Sequence, residues 1–137
     1  MREWRPPERW ESEARRLLLA ASLRLERARE LWPSYPEEAV LSLFLGSELI
    51  VNAAAQLAGD ALGEDHEAKR EAAADYNLRD ILAVNLQPNL ELLNRQRIRL
   101  YDGLPVTLEG PRFERLAEQS ELALTELISK IGEPDTA

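Results

Sequence analysis

The chain has 137 residues, 45% hydrophobic and 31% charged, with a formal net charge of −8. That length fits one domain able to bury a core, and the composition excludes wholesale disorder. The acidic balance excludes broad electrostatic adhesion to nucleic acid or anionic membrane, and the lack of cysteine excludes disulfides, thiolate metal sites and cysteine nucleophiles.

Residues 1–7 read as a loose arm ended by Pro6-Pro7, residues 8–132 as one helical-bundle domain and 133–137 as a tail. The arm has no apolar run of the signal-peptide kind, so the expected location is cytoplasmic. Over 8–31, Trp10, Ala14, Leu17, Leu18, Ala21, Leu25, Ala28 and Leu31 recur every three to four residues, the period of an amphipathic helix. Trp32-Pro33 stops it. Ser34-Tyr35-Pro36-Glu37 has capping-box spacing and predicts a second helix over 36–58, with Gly59 at its C-cap. Its stretch 39–58 has the length of a membrane span but carries Glu48, Asn52 and Gln56, and a central acid costs roughly 2.5–3.5 kcal/mol on insertion. A core helix is expected instead, with no membrane partner. Being apolar nearly all round, it must be covered on most sides, which four or five helices do with difficulty; this points to a subunit partner.

The segment 64–76 predicts a short exposed helix. Asn77 is expected to cap another short helix through residue 86, with Asp80 three residues on. Gln87-Pro88-Asn89 opens a helix over 90–101, ended by Gly103. After a loop over 104–110, Pro111 starts a last helix marked by Phe113, Leu116, Leu124, Leu127 and Ile131 and closed by Gly132 and Pro134. There is no strand pattern, internal repeat or glycine-rich phosphate loop. The predicted fold is all-α, a four- to five-helix up-and-down bundle.

His66, the single histidine, lies between Asp65 and Glu67 and reads as a surface residue. No metal-ligand spacing accompanies it, so neither metal nor cofactor is expected. Glu48, Asn52 and Gln56 form one polar stripe on the apolar helix. They bond a neighbouring helix end or meet solvent, or else Glu48 and Asn52 line a cleft and orient arginines. The segment Asn94-Arg95-Gln96-Arg97-Ile98-Arg99-Leu100-Tyr101 holds three arginines and no acid. On a helix Arg95 and Arg99 share one face, and Arg97 lies with Leu93 and Tyr101 on another. Arginines near a helix C-terminus complement its dipole. The rival reading is a phosphate site, with planar donors for anionic charge and Tyr101 bonding or stacking on a base.

In the order of its parts the chain resembles a HEPN domain, the higher eukaryote and prokaryote nucleotide-binding family. Two long helices are followed by a variable helical region, a helix ending in arginine, four to six residues and histidine, and a closing helix. The correspondence runs over nearly the whole chain: 8–31, 36–58, 60–86, 88–102 and 111–131. The motif reads Arg95, five residues, then Tyr101-Asp102-Gly103, so tyrosine stands where the family keeps histidine. The resemblance implies a homodimer that binds RNA or a nucleotide, or cleaves RNA as a toxin beside a nucleotidyltransferase antitoxin. Its site would use Arg95, Arg97 and Tyr101 for chemistry and Asn94, Arg99, Glu48 and Asn52 for binding. A phenol is a poor general base near neutral pH, so binding is favoured over turnover and enzyme status stays open. In related toxin systems a tyrosine near the motif accepts AMP from the partner, a role Tyr101 would fill. The other reading is a non-enzymatic interaction protein whose motif helix forms a dimer or partner interface.

Overall fold

Every long stretch of three-to-four-residue apolar spacing forms a helix. The structure, a computed structural model, describes residues 8–131, with side chains from Ser12 onward. Among these residues are five α-helices and no strand: α1 (Glu8–Leu31), α2 (Pro36–Ala58), α3 (His66–Leu78), α4 (Gln87–Tyr101) and α5 (Gly110–Ile131). The chain is an all-α helical bundle. The arm over 1–7, the side chain of Trp10, the tail, Gly132 and Pro134 lie outside the described residues.

The α1 stripe of Ala14, Leu18, Ala21, Leu25, Ala28 and Leu31 is buried. It packs on α2, its most extensive partner, in an antiparallel hairpin. Gly46 sets the spacing there, because a Cβ at that position would lie 2.9 Å from Leu25 Cδ2 and 3.2 Å from Arg24 Cβ. Polar ties add to the packing. Ser42 Oγ donates to the Arg24 carbonyl at 2.7 Å, and the Ser47 and Ser120 hydroxyls meet at 2.8 Å between α2 and α5.

α2 touches all four other helices. By length and composition it is long and apolar enough to cross a membrane, with a mean hydropathy of 1.5, and 67% of that window is buried inside the bundle. One chain therefore covers more of α2 than its sequence suggested. What stays partly open is the edge of Leu41, Leu45 and Leu49, with Leu45 38% exposed.

Local signals predict the helix ends less well than periodicity predicts the helices. The N-cap of α2 is Tyr35, with no side-chain capping bond, so Ser34 sits one residue too early for the expected capping box. Pro36 starts the helix without needing a capping acceptor for its missing N–H. Gly59, with φ 76°, closes α2 as expected. Asp65 caps α3 by accepting from the amides of Glu67 (3.0 Å) and Ala68 (3.4 Å). That helix is less exposed than predicted, burying Lys69, Ala73 and Tyr76.

The short helix expected from Asn77 to residue 86 does not form. Asn77 lies inside α3, and its Nδ2 donates to the carbonyls of Leu82 and Ala83, both at 3.0 Å. Asp80 takes a left-handed φ of 58°. Lys130 Nζ donates to the carbonyls of Asp80 and Ile81, and Glu126 accepts from the Ala83 amide at 2.8 Å. Side chains of α3 and α5 thus satisfy the backbone of an irregular segment, while a helix that short is marginal by itself. α4 begins at Gln87, ahead of the expected residue 90.

Candidate functional site

The face of α4 that carries Asn94, Arg97 and Tyr101 follows from helical spacing of three and four residues. Arg97 Nε and Nη2 donate to Asn94 Oδ1 at 3.1 and 2.8 Å. The guanidinium carbon lies 5.3 Å from the centre of the Phe44 ring and 5.6 Å from that of Tyr101, within cation–π range. None of the ion pairs among the described residues involves Arg97. Its charge is held by a neutral amide and two rings.

Beside it opens a cavity of about 440 Å³. Leu41, Phe44 and Leu45 of α2 and Leu100 of α4 form its apolar wall, and Arg97, Tyr101 and His66 supply its polar groups. Tyr101 is 81% exposed. The cavity thus combines a flat apolar surface, one cation and one hydrogen-bonding ring.

His66 is the residue that sequence reasoning missed. It opens α3, and its Nδ1 lies 2.5 Å from Oε2 of Glu48, which is buried. Lys69 Nζ lies 3.8 Å from the other Glu48 oxygen. The His66 ring also tilts against Phe44, with centroids 5.4 Å apart. Two sequence signals pointed this way. Asp65 is a strong N-cap residue, which puts His66 at the start of a helix and not in open coil. Glu48 is an acid inside an apolar helix, and a buried acid requires a partner.

The remaining candidates disperse. Glu48 pairs with His66 and Lys69, not with an arginine. Asn52 borders two smaller cavities, of about 260 and 220 Å³, neither of which includes any arginine of α4. Arg95 is exposed and makes no hydrogen bond among the described residues. Arg99 donates from Nε to the Pro105 carbonyl at 3.2 Å. Gln96 and Thr107 exchange two bonds, of 2.8 and 3.0 Å. Both contacts pin the loop after α4. Among the described residues, no three histidine or acidic side chains group as metal ligands.

The structure therefore brings Asn94, Arg97 and Tyr101 together, adds His66 with Glu48 behind it, and leaves Arg95, Arg99 and Asn52 elsewhere. Set against protein-family models, characterised proteins and solved structures, the chain matches none.

Proposed function

We propose that this chain is a HEPN-like cytoplasmic protein that binds single-stranded RNA or a nucleotide in the cavity between α2, α3 and α4, as a homodimer. Arg97 carries this reading. Two of the five guanidinium N–H donors are used on Asn94, which leaves three for an incoming anion. In a chain of net charge −8, a cation without a counter-ion beside an open cavity suits a phosphate. The apolar wall and the exposed Tyr101 ring suit a base, and such stacking contributes roughly 1–3 kcal/mol per base. The cavity volume of about 440 Å³ also falls in the range of small-molecule sites, roughly 300–1,000 Å³.

The homodimer is supported by Ile98 and Leu104, both large, apolar and exposed, on and just after α4 and outside the lining of the cavity. A second copy covering them would bury that patch and bring a second Arg97 near the first. The same residues favour a second reading, a non-enzymatic interaction protein, in which a partner such as a nucleotidyltransferase antitoxin covers the patch.

Fluorescence anisotropy with a labelled, randomised-sequence RNA pool tests the site. Wild type is expected to bind, and Arg97→Ala to bind at least ~10-fold more weakly, as for loss of a charge-assisted phosphate contact. Equal affinity in the variant removes the site. Light scattering tests the dimer, and a monomeric mass removes that part of the proposal.

A further inference from the structure

We infer that a second, smaller cavity, between α1, α2 and α3, binds a short aliphatic monocarboxylate. The inference does not depend on the RNA-binding reading, because this cavity and the one beside Arg97 have only Leu45 in common. It measures about 220 Å³ and is lined by Arg24 of α1, by Leu45, Glu48, Leu49 and Asn52 of α2, and by Lys69 of α3. Sites for drug-sized ligands run to roughly 300–1,000 Å³, so the occupant here is small.

Lys69 carries the argument. Its side chain is 9% exposed, and its ion pair with Glu48 Oε1 spans 3.8 Å, too long for a hydrogen bond. The three N–H donors of the ammonium therefore have no acceptor among the described residues. Buried polar groups are hydrogen-bonded as a rule, and a cation left without acceptors costs more than a neutral group. An acceptor entering the cavity completes this one. Arg24 is the second cation. A Cβ at Gly46 would lie 3.2 Å from Arg24 Cβ, so the close α1–α2 hairpin sets this arginine against α2. It makes no ion pair among the described residues. Asn52 adds amide donors to the same wall.

The charges and walls select the ligand. Two cations, Arg24 and Lys69, against one acid, Glu48, leave one positive charge for a monoanion. Both Glu48 oxygens already face His66 and Lys69, so a ligand ammonium would compete with Lys69 for them. A dianion such as phosphate would bring a second negative charge beside Glu48. A planar carboxylate matches the guanidinium fork of Arg24 and takes Lys69 as a point charge. Leu45 and Leu49 give its aliphatic chain an apolar wall.

The test is an NMR titration with 3-methylbutanoate, its uncharged counterpart 3-methylbutanamide, and inorganic phosphate, with circular dichroism to confirm that variants fold. Wild type is expected to show saturable shifts at the Leu45 and Leu49 amides and the Asn52 side-chain amide. The expected Kd is on the order of 1 mM or below, within reach of a ligand of about seven heavy atoms. 3-Methylbutanamide is expected to bind at least ~10-fold more weakly, for loss of the charge-assisted bonds. Arg24→Gln and Lys69→Met are each expected to weaken 3-methylbutanoate binding by at least ~10-fold, and Arg97→Ala to leave it unchanged. Lys69→Met also leaves Glu48 without its cation; if it fails to fold, the exposed Arg24→Gln decides alone. The inference is overturned by no saturable shift in wild type, by equal affinity for the amide, or by tighter binding of phosphate. It is equally overturned by an unchanged Kd in folded Arg24→Gln or Lys69→Met. A loss in Arg97→Ala would move the carboxylate to the larger cavity, and so overturn the assignment as well.

Discussion

Arg29 of α1 and Arg97 of α4 differ in what holds their charge. Near the junction of α1 and α5, Trp32 and Phe113 stack with centroids 4.2 Å apart and planes 5° from parallel. The Arg29 guanidinium there reaches both oxygens of Glu121, at 2.9 and 2.6 Å, and also bonds Glu114. The bond to Glu121 drives the Arg29 pKa well above the ordinary guanidinium value; burial opposes this, and Glu114 adds to the rise. Arg97, between Phe44 and Tyr101, has only the neutral oxygen of Asn94. One cation is neutralised where helices must be clamped, and the other is held in place with its charge uncompensated. In an acidic protein, where acids outnumber bases 25 to 17, the second arrangement points to a ligand.

The comparison predicts a crossed pattern of losses. Arg97→Ala is expected to weaken RNA binding by ~10- to 100-fold, about 1.4–2.8 kcal/mol, while changing folding stability by less than ~0.5 kcal/mol. Anisotropy and urea denaturation measure the two. Arg29→Ala is expected to do the reverse, leaving Kd unchanged and lowering stability by about 1 kcal/mol. That figure is kept small because Arg29, Glu114 and Glu121 are each about a third exposed or more and are screened by solvent. If Arg29→Ala weakens binding as much as Arg97→Ala does, affinity follows total charge and the distinction between the two sites disappears.

The tyrosine partner sharpens the same contrast. Tyr101→Ala is expected to raise Kd by about tenfold, the loss of one stacking surface, and Tyr101→Phe to keep most of the affinity. A Phe variant as weak as the Ala variant would make the hydroxyl, not the ring, the contact.

How legible this was in the sequence depends on the range of the interaction. The α1 stripe from Ala14 to Leu31 was readable, Leu17 alone among its described positions being only partly buried, since burial of every third or fourth residue is a local code. The pairing of Arg97 with Tyr101 followed from the same code, being one turn of helix. The segment from Arg79 to Leu86 was not readable, because its carbonyls over residues 80–83 and the Ala83 amide bond the side chains of Asn77, Glu126 and Lys130, two of them far away in sequence. The contact of His66 with Glu48 was not readable for the same reason. Glu48 lies 18 residues back, across a turn whose geometry no periodicity encodes. The position where the resemblance expects a histidine holds Tyr101, and the one histidine of the chain borders the same cavity from another helix.

On the scaffold side, Tyr76 gives a prediction with a pH signature. It is fully buried, and its hydroxyl donates to Asp60 at 2.7 Å. Burial first, and then the bond to Asp60, raise its pKa well above the ordinary phenol value of 10.0. The folded state therefore keeps the phenol neutral after the unfolded state has begun to ionise. This contribution is fully present below about pH 10 and is lost progressively as pH rises further. Tyr76→Phe is expected to cost about 1 kcal/mol at neutral pH. Because phenylalanine does not titrate, the gap between wild type and variant should narrow in alkaline urea melts. A constant gap would mean that the folded phenol ionises as readily as the unfolded one.

The smallest expected effect separates position from charge most directly. Arg95 lies two residues from Arg97 and carries the same charge, yet it is exposed and does not border the cavity. Arg95→Ala is expected to change Kd by less than about twofold and to leave the salt dependence of RNA binding unaltered, whereas Arg97→Ala should reduce the slope of log K against log salt by about 0.7, one phosphate contact on a single strand. Salt titrations of both variants measure this. If the two slopes fall together, the whole end of α4 binds as a diffuse basic patch, and the Arg97 cavity is no longer singled out. If only the Arg97 slope falls, the contact is one phosphate at one guanidinium, because a diffuse field would not distinguish cations two residues apart.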